Sequence, residues 1–327
     1  AFLPNGNEMF TAGSDGKILK WFVKGSVYTN IPYFSNSFVN RNLVVSPDNK
    51  WMAVAGEAPF IQLFDLSDPN SKPKRLFGHK GQVWSVAFTP DGKNLITTGA
   101  DSSVLIRNIE SGKYFLVAKT KSNVKSIDIH PNGQSVIGGD EQGQIYIWSI
   151  NNNKPEVHLQ TKNLKKIQSI AISKNGKYLV AGDGYGNVKL WNLDENNKLL
   201  ANLSGHRARI NDIKFDPKTR VLATASFDGT VKLWDIDHLN EQPITLTDHN
   251  SWVWSVAFTQ DGEHIVAGCV DNLIRIYPTD VTAMSKKVCE KLRRNMTPDE
   301  WSTYVAKDIK FEETCPGLPQ GKNVELE

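Results

Sequence analysis

Residues 228–234 have the sequence DGTVKLW, in which a tight turn leads into alternating apolar residues that end in a tryptophan. The pattern recurs along the chain, with good copies ending at residues 21, 148 and 191 and weaker copies ending at residues 64, 107 and 277. The seven endpoints lie 43 residues apart, except for one interval of 41 residues between 107 and 148. A fixed period of this length indicates a repeat architecture, in which each unit packs on its neighbours.

Each unit also contains a second apolar strand that runs into a turn. Residues 83–92 read VWSVAFTPDG, residues 253–262 read VWSVAFTQDG, and a short strand such as VLATA at 221–225 follows the turn. Pro-Asp-Gly and Asp-Gly favour tight turns between strands. Four strands in a unit of about 43 residues are typical of one propeller blade. The sequence therefore predicts an all-β fold, a seven-bladed β-propeller of four-stranded antiparallel blades over residues 1–280.

Residue pairs at the ends of the units resemble those of the WD-repeat family. They are Gly78-His79, Gly205-His206 and Trp234-Asp235, and the resemblance covers about residues 1–280. It implies the propeller fold and a protein that works by binding other molecules. Because propellers of this kind host many unrelated roles, the resemblance is more specific for the fold than for the function.

The resemblance also implies that a hydrogen-bonded set of side chains holds each complete blade. The complete set here is His206, Thr224, Asp228 and Trp234, and a partial set is His79, Thr97 and Asp101, with Arg107 in place of the tryptophan. Histidine, threonine and aspartate could also form a catalytic site. An indole over the set would cover it, however, and buried polar groups normally satisfy one another. We therefore expect no catalytic residues; the alternative is a propeller enzyme with histidines or carboxylates clustered in its channel.

Composition excludes several other classes of function. The 38 basic and 35 acidic residues give a net charge of +3, too small for a general attraction to nucleic acid or anionic membranes. No stretch of 18 apolar residues could cross a membrane as a helix. The seven histidines are scattered and no paired-cysteine motif occurs, so neither a metal nor another cofactor is expected. The N-terminus has neither an initiator methionine nor a signal pattern, and we expect a fragment or a processed product.

Aligning the blades places two rings of residues at the start of the inner strands, around the channel where propellers bind most partners. The first ring contains Arg41, Trp84, Lys125, Gln168, Asn211 and Trp254, and the second contains Val39, Gln82, Asn123, Lys166, Arg209 and Trp252. Tryptophan and arginine are frequent interface hot spots, and cations beside aromatic rings suit acidic or phosphorylated partners. We expect a monomeric propeller that binds a protein or peptide here. Simple packing of Trp84 and Trp254, anion binding, and stacking of single-stranded nucleic acid are the alternatives.

After residue 280 the strand pattern gives way to a helical C-terminal extension over residues 281–327. Residues 282–294 predict a helix with Met284, Val288 and Leu292 on one face. Residues 297–300, TPDE, form a capping box with proline at the first helical position. Residues 309–314 alternate as a strand would, so we expect them to pair with residues 273–277 and complete the last blade. Closure by residues upstream of Ala1 is the alternative.

The extension carries two of the three cysteines. Its segments RNMT at 294–297 and TCP at 314–316, with Trp301 between them, resemble the tail that follows propellers in bacterial STAND-type signalling proteins. This resemblance implies the sensor or scaffold half of a larger protein with an upstream ATPase or effector region. Three cysteines are too few for a disulfide framework, so we expect reduced thiols and a cytoplasmic location. A bridge between Cys289 and Cys315, with a periplasmic location, is the alternative.

Overall fold

Seven antiparallel sheets follow one another along the chain, as the repeat predicts. The computed structural model describes residues 1–4, 6–24, 27–150, 155–159, 164–249, 251–305 and 310–321. We call the sheets blades 1 to 7. The first three blades comprise β1 (Glu8–Ala12), β2 (Lys17–Lys24) and β3 (Val27–Ser35); β4 (Asn40–Val45), β5 (Trp51–Gly56), β6 (Phe60–Asp65) and β7 (Lys74–Phe77); and β8 (Val83–Phe88), β9 (Asn94–Gly99), β10 (Ser103–Asn108) and β11 (Tyr114–Lys119).

The remaining blades repeat this arrangement. Blades 4 and 5 comprise β12 (Val124–Ile129), β13 (Ser135–Asp140), β14 (Ile145–Ser149) and β15 (Pro155–Leu159); and β16 (Ile167–Ile172), β17 (Tyr178–Asp183), β18 (Val188–Asn192) and β19 (Lys198–Leu203). Blades 6 and 7 comprise β20 (Ile210–Phe215), β21 (Val221–Ser226), β22 (Val231–Asp235) and β23 (Ile244–Leu246); and β24 (Val253–Phe258), β25 (His264–Cys269) and β26 (Ile274–Pro278).

The inner strands of successive blades adjoin and line the central channel. Side chains on these strands accept hydrogen bonds from the backbone of the next blade. Ser126 Oγ and Asp128 Oδ2 in β12 accept from the N–H groups of Ile170 and Ile172 in β16, at 3.0 and 2.8 Å. The same link joins blades 6 and 7, where Asp212 Oδ2 accepts from Val256 N at 3.0 Å. Polar side chains inside the ring therefore fix the register between blades.

Blade 1 begins with a shortened inner strand at the N-terminus. Leu3 N donates to Glu8 O and Phe10 N donates to Ala1 O, both at 2.8 Å, and Phe2 pairs with Met9. These contacts place Phe2 at the position of the inner-strand residue Phe88, which pairs with Leu95 in the same way. Blades 2 to 6 have the four strands that the repeat predicts; blade 1 has three named strands beside the short pairing at Phe2, and blade 7 has three among the residues that the structure describes.

The chain divides into two compact units, Ala1–Ile276 and Tyr277–Glu327. The second unit contains α1 (Val281–Cys289) and α2 (Pro298–Tyr304). Helix α1 ends five residues before the predicted helix does. Thr297 Oγ1 accepts from Glu300 N and the Glu300 side chain accepts from Thr297 N, which confirms the predicted capping box.

Two predictions for the second unit are wrong. Residues 310–314 form no strand, and Phe311 instead packs on Trp301 with ring centroids 5.7 Å apart; Ile309 lies outside the described residues. Cys289 and Cys315 are joined by a disulfide across 26 residues, and are not reduced thiols. Asn295 explains the proximity, because its buried amide binds both sides of the Cys315 backbone: Oδ1 accepts from Cys315 N at 2.8 Å and Nδ2 donates to Cys315 O at 2.9 Å.

Candidate functional site

The histidine, threonine, aspartate and tryptophan of blade 6 form one continuous hydrogen-bond chain. The Trp234 indole N–H donates to Thr224 Oγ1 at 3.0 Å, Thr224 lies 2.7 Å from His206 Nε2, and His206 Nδ1 lies 2.8 Å from Asp228 Oδ2. These partners assign the roles: the threonine hydroxyl donates to Nε2, and Nδ1–H donates to the carboxylate. Burial alone would raise the pKa of Asp228, but hydrogen bonds, led by that from His206, hold it well below its usual range.

Blade 3 keeps the first part of this chain and changes its end. His79 Nε2 lies 2.8 Å from Thr97 Oγ1, and His79 Nδ1 lies 3.1 Å from Asp101 Oδ1. Arg107, which replaces the tryptophan, turns away from Thr97. Its guanidinium donates to the backbone oxygens of Phe77 and Gly112 and lies 4.5 Å from the centroid of the Tyr114 ring. Arg107 therefore ties the outer strand of blade 2 to the turn that precedes the outer strand of blade 3.

Neither set is arranged for catalysis. Thr224 is fully buried and its hydroxyl is held between an indole and an imidazole, so no substrate can reach it. Inside the channel, Asp128 and Asp212 are committed to backbone N–H groups of the neighbouring blade. Among the described residues, no group of three or more histidine, cysteine, aspartate or glutamate side chains could hold a metal ion.

The two predicted rings lie at the start of the inner strands. Each member of the first ring is the second residue of an inner strand, and each member of the second ring immediately precedes that strand. We call the surface formed by both rings the channel face. Charged members of alternate blades lie within electrostatic range of one another. Burial, and then repulsion from Arg41, lower the pKa of Arg209. Burial, with smaller contributions from Arg209 and Arg41, lowers the pKa of Lys125 although Glu141 acts to raise it.

The structure adds a third ring that the sequence reasoning missed. Its members follow the second strand of each blade and donate a backbone N–H to the oxygen of the second-ring residue of the same blade. They are Glu57, Ala100, Glu141, Gly184, Phe227 and Val270, which bond to Val39, Gln82, Asn123, Lys166, Arg209 and Trp252. The same 43-residue spacing, with its single interval of 41, relates them and could have revealed them.

The third ring neutralises two of the predicted cations. Arg41 contacts Glu57 at 2.8 Å, and Lys125 contacts Glu141 at 3.0 Å. Lys125 also lies directly over the Trp84 ring, 3.0 Å from its centroid, where the ring's electron-rich face attracts an ammonium group. The blade 2 to blade 4 side of the channel face is therefore internally paired, although neither predicted ring contains a carboxylate.

An aromatic cluster occupies the opposite side of the channel face. Phe227 stacks on Trp252 at 4.6 Å between ring centroids and meets Trp254 edge-on at 4.9 Å. Trp252 is 50% exposed and Trp254 is 41% exposed, so the cluster presents apolar surface to solvent. Arg209 completes it, with its guanidinium carbon 5.1 Å from the Phe227 centroid. We call these four residues the blade 6–7 cluster. Trp254 therefore packs on Phe227 and also remains partly exposed.

The other predicted members play smaller roles. The Asn211 amide donates to Val253 O at 2.7 Å, which links blades 6 and 7. Gln168 donates to the backbone oxygen of Lys166 at 3.2 Å, and Lys166 itself is exposed with a φ of 55°. Trp84 is partly buried beneath Lys125, so it contributes little accessible surface. The predicted ring is thus uneven: its accessible aromatic surface is concentrated in blades 6 and 7.

Comparisons with known proteins agree with this architecture. Three relatives are each named "Target of rapamycin complex subunit". The wat1 protein of Schizosaccharomyces pombe is 30% identical over 146 residues, which cover 44% of this chain and 46% of wat1. LST8 of Bos taurus is 30% identical over 152 residues, which cover 45% of each chain. LST8 of Saccharomyces cerevisiae is 31% identical over 130 residues, which cover 39% of this chain and 42% of LST8. The matched part spans less than half the length of each relative.

No helix among the residues that the structure describes has the length and apolar character needed to cross a membrane.

Residues 39–294 match the family described as the IFT122 first beta-propeller, and this match extends from the second blade into the second unit. This match covers well over half of the sequence. The chain therefore belongs to the IFT122 first beta-propeller family, and its repeats are those of a WD-repeat seven-bladed β-propeller.

Proposed function

We propose that this chain is a protein-interaction scaffold or sensor that binds a protein or peptide on its channel face. The blade 6–7 cluster carries the proposal, because two tryptophans are held in a fixed arrangement and yet remain about half exposed. Large, rigid aromatic side chains beside an arginine are the residues that dominate binding energy at protein interfaces. WD-repeat relatives such as LST8 are named as subunits of a complex, which supports the same kind of role.

Differential capture tests this proposal. The purified chain, a double variant with Trp252→Ala and Arg209→Ala, and a control with Phe115→Ala would each be used to capture proteins from the native lysate. Phe115 is 65% exposed on the outer strand β11, away from the channel face, so it controls for the loss of any exposed aromatic ring. We expect a protein that the wild type and the control retain and the double variant loses by about tenfold or more. Equal capture by all three would place the binding surface elsewhere.

The wider context of this scaffold is also a proposal. The tail around Cys289 and Cys315 resembles that of bacterial STAND-type signalling proteins, and we propose that the chain is the regulatory half of such a protein. The three relatives named above come from yeasts and cattle, so the bacterial context rests on the tail alone. The disulfide favours an oxidising compartment, the periplasm in a bacterium. The coding sequence upstream of Ala1 tests this directly, since an ATPase or effector region should precede the propeller.

A further inference from the structure

The charges of the channel face are compensated on one side and uncompensated on the other. In blades 2 and 4 the third ring supplies Glu57 and Glu141, which pair with Arg41 and Lys125. At the same position blade 6 carries Phe227. Its backbone N–H donates to Arg209 O at 2.9 Å, which is the equivalent of the bond from Glu57 N to Val39 O at 3.1 Å in blade 2. An aromatic ring therefore stands beside Arg209 where a carboxylate stands beside the cations of the other two blades.

Arg209 has no acidic partner among the residues that the structure describes. No carboxylate lies within 4.0 Å of its guanidinium in the part of the chain that the structure describes, and its buried Nε–H finds no acceptor there. Burial and repulsion from Arg41 both work against its charge, as its lowered pKa indicates. A planar guanidinium in this situation is suited to a carboxylate, which it binds through two parallel hydrogen bonds. Such a ligand would replace the missing third-ring acid.

The apolar half of the site adjoins this cation. The Phe227 ring contacts Arg209 at 5.1 Å and Trp252 at 4.6 Å, so the guanidinium and the exposed indole flank a single ring. Val270, bonded through its N–H to Trp252 O at 3.1 Å, is 42% exposed and extends the apolar surface. An acidic side chain and an apolar side chain would therefore be bound within one or two residues of each other.

From this arrangement we infer that the partner is a protein segment that presents an aspartate or glutamate carboxylate to Arg209 and a neighbouring apolar side chain to Trp252 and Trp254. The inference rests on the proposed function and specifies the chemistry of its partner. A carboxylate fits better than a phosphate, because phosphate sites usually gather several free cations. Here Arg41 and Lys125 are already paired with glutamates, and the remaining cation of the two rings, Lys166, lies in blade 5 and not in the blade 6–7 cluster.

Selection of random dodecapeptides displayed on phage tests the inference with the full chain. The baits are the wild type, Arg209→Gln, Trp252→Ala, and Arg41→Gln as a matched control, since Arg41 lies in the same face but already has an acidic partner. Thermal unfolding confirms that each bait is folded, and the uncharged Arg209→Met replaces Arg209→Gln, with the same expected result, if that variant does not fold. The best wild-type peptide is then synthesised with its acid intact, changed to the amide, and changed to phosphoserine.

The expected result is a set of wild-type peptides with an acid next to an apolar residue. Arg41→Gln should select the same set, Arg209→Gln should lose the acid preference, and Trp252→Ala should lose the apolar preference. The amide peptide should bind the wild type about tenfold more weakly than the acidic peptide does. The Arg209→Gln variant should bind the amide peptide no more weakly than it binds the acidic peptide.

Other outcomes would overturn one or both proposals. Three outcomes would overturn the carboxylate inference and leave the proposed function standing. They are peptides that depend on Trp252 but lack an acid, an acid preference that is lost in Arg41→Gln, and tighter binding of the phosphoserine peptide. Peptides that bind every variant as well as the wild type would overturn the channel-face function itself. A wild-type selection that enriches no peptide would contradict a linear acidic segment.

Discussion

Gly182 in β17 lies directly against Ile210 of the next blade, so that a Cβ atom on Gly182 would be 2.5 Å from Ile210 Cγ2. Gly139 stands in the same relation to Ile167, at 2.4 Å. The second strand of each blade is sandwiched between neighbours, and five of the six residues of β17 are buried. In blades 4 and 5 the next blade therefore leaves no room for a side chain at this position, whereas blades 2, 3 and 6 carry Ala55, Thr98 and Ala225 there. In blade 7 the equivalent Gly268 has no atom nearer than Ser255 O, at 4.0 Å.

These contacts predict opposite outcomes for the same substitution in two blades. Gly182→Ala should lower the free energy of unfolding by about 1–3 kcal/mol, because the added methyl group must push Ile210 out of a packed interface. Gly268→Ala is the matched control and should be neutral or stabilising by up to about 1 kcal/mol, since the methyl group has room and the unfolded chain loses freedom. Urea unfolding of both variants measures the difference. Equal effects would mean that the blade 5–6 interface relaxes more freely than its packing suggests.

The His79 set predicts how stability depends on pH. Burial lowers the pKa of His79 below that of an unfolded histidine, about 6.5, despite the nearby Asp101. Below that pH the unfolded chain therefore binds more protons than the folded chain, and the free energy of unfolding falls. The pKa of Asp101 is also lowered, because hydrogen bonds from Ser103, Lys80 and His79 outweigh the effect of burial. As the pH falls, a second decline in the free energy of unfolding should therefore begin near the pKa of an unfolded aspartate, about 4.

The variant His79→Gln isolates the first of these two declines. It should be less stable than the wild type at pH 7.5 by about 1–3 kcal/mol, because Thr97 and Asp101 lose their shared partner. The difference should narrow at pH 5.5, where the wild type has lost the contribution of neutral His79 and the glutamine has nothing to titrate. Urea unfolding at both pH values checks this, and a constant difference would show that His79 does not titrate as proposed.

Arg107 shows that a departure from the repeat can be stabilising in its own way. Arg107→Met keeps most of the apolar volume but leaves the oxygens of Phe77 and Gly112 without a donor, so we expect a loss of about 1–3 kcal/mol. Lys113→Met, at an exposed position nearby, is the control and should change stability by less than about 0.5 kcal/mol. Thermal unfolding measures both. An unchanged Arg107→Met variant would mean that water replaces the guanidinium at no cost.

The parts of the molecule that follow the period could be predicted, because each blade makes the same contacts with its neighbours. The strand endpoints and the two rings of the channel face follow from the 43-residue spacing. The pairing of Arg41 with Glu57 could not be read from two rings alone. It depends on a backbone bond between Glu57 N and Val39 O that places the third ring beside the second.

The second unit could be predicted less well, since it contains no repeat. The capping box at Thr297 is a local motif and was predicted correctly. The strand at 309–314 was predicted from alternation, which cannot show that Phe311 has a partner in Trp301. The disulfide was only the alternative prediction, because a separation of 26 residues says nothing about proximity. The contacts that hold Cys315 in place come from a single side chain, Asn295.

The disulfide gives the last prediction. Closing a loop of 26 residues should stabilise the second unit by about 3–4 kcal/mol, because the unfolded tail loses conformational freedom. In the double variant Cys289→Ser and Cys315→Ser, trypsin should therefore cleave the tail at Arg294 and Lys310 much faster than in the wild type, and dithiothreitol should have the same effect on the wild type. Cys269→Ser is the control, because Cys269 is a free thiol in blade 7 whose loss leaves the bridge intact. Titration of thiols in the freshly isolated, denatured protein should find one per chain; three thiols per chain would show that the bridge does not form and that the oxidising compartment proposed here is wrong.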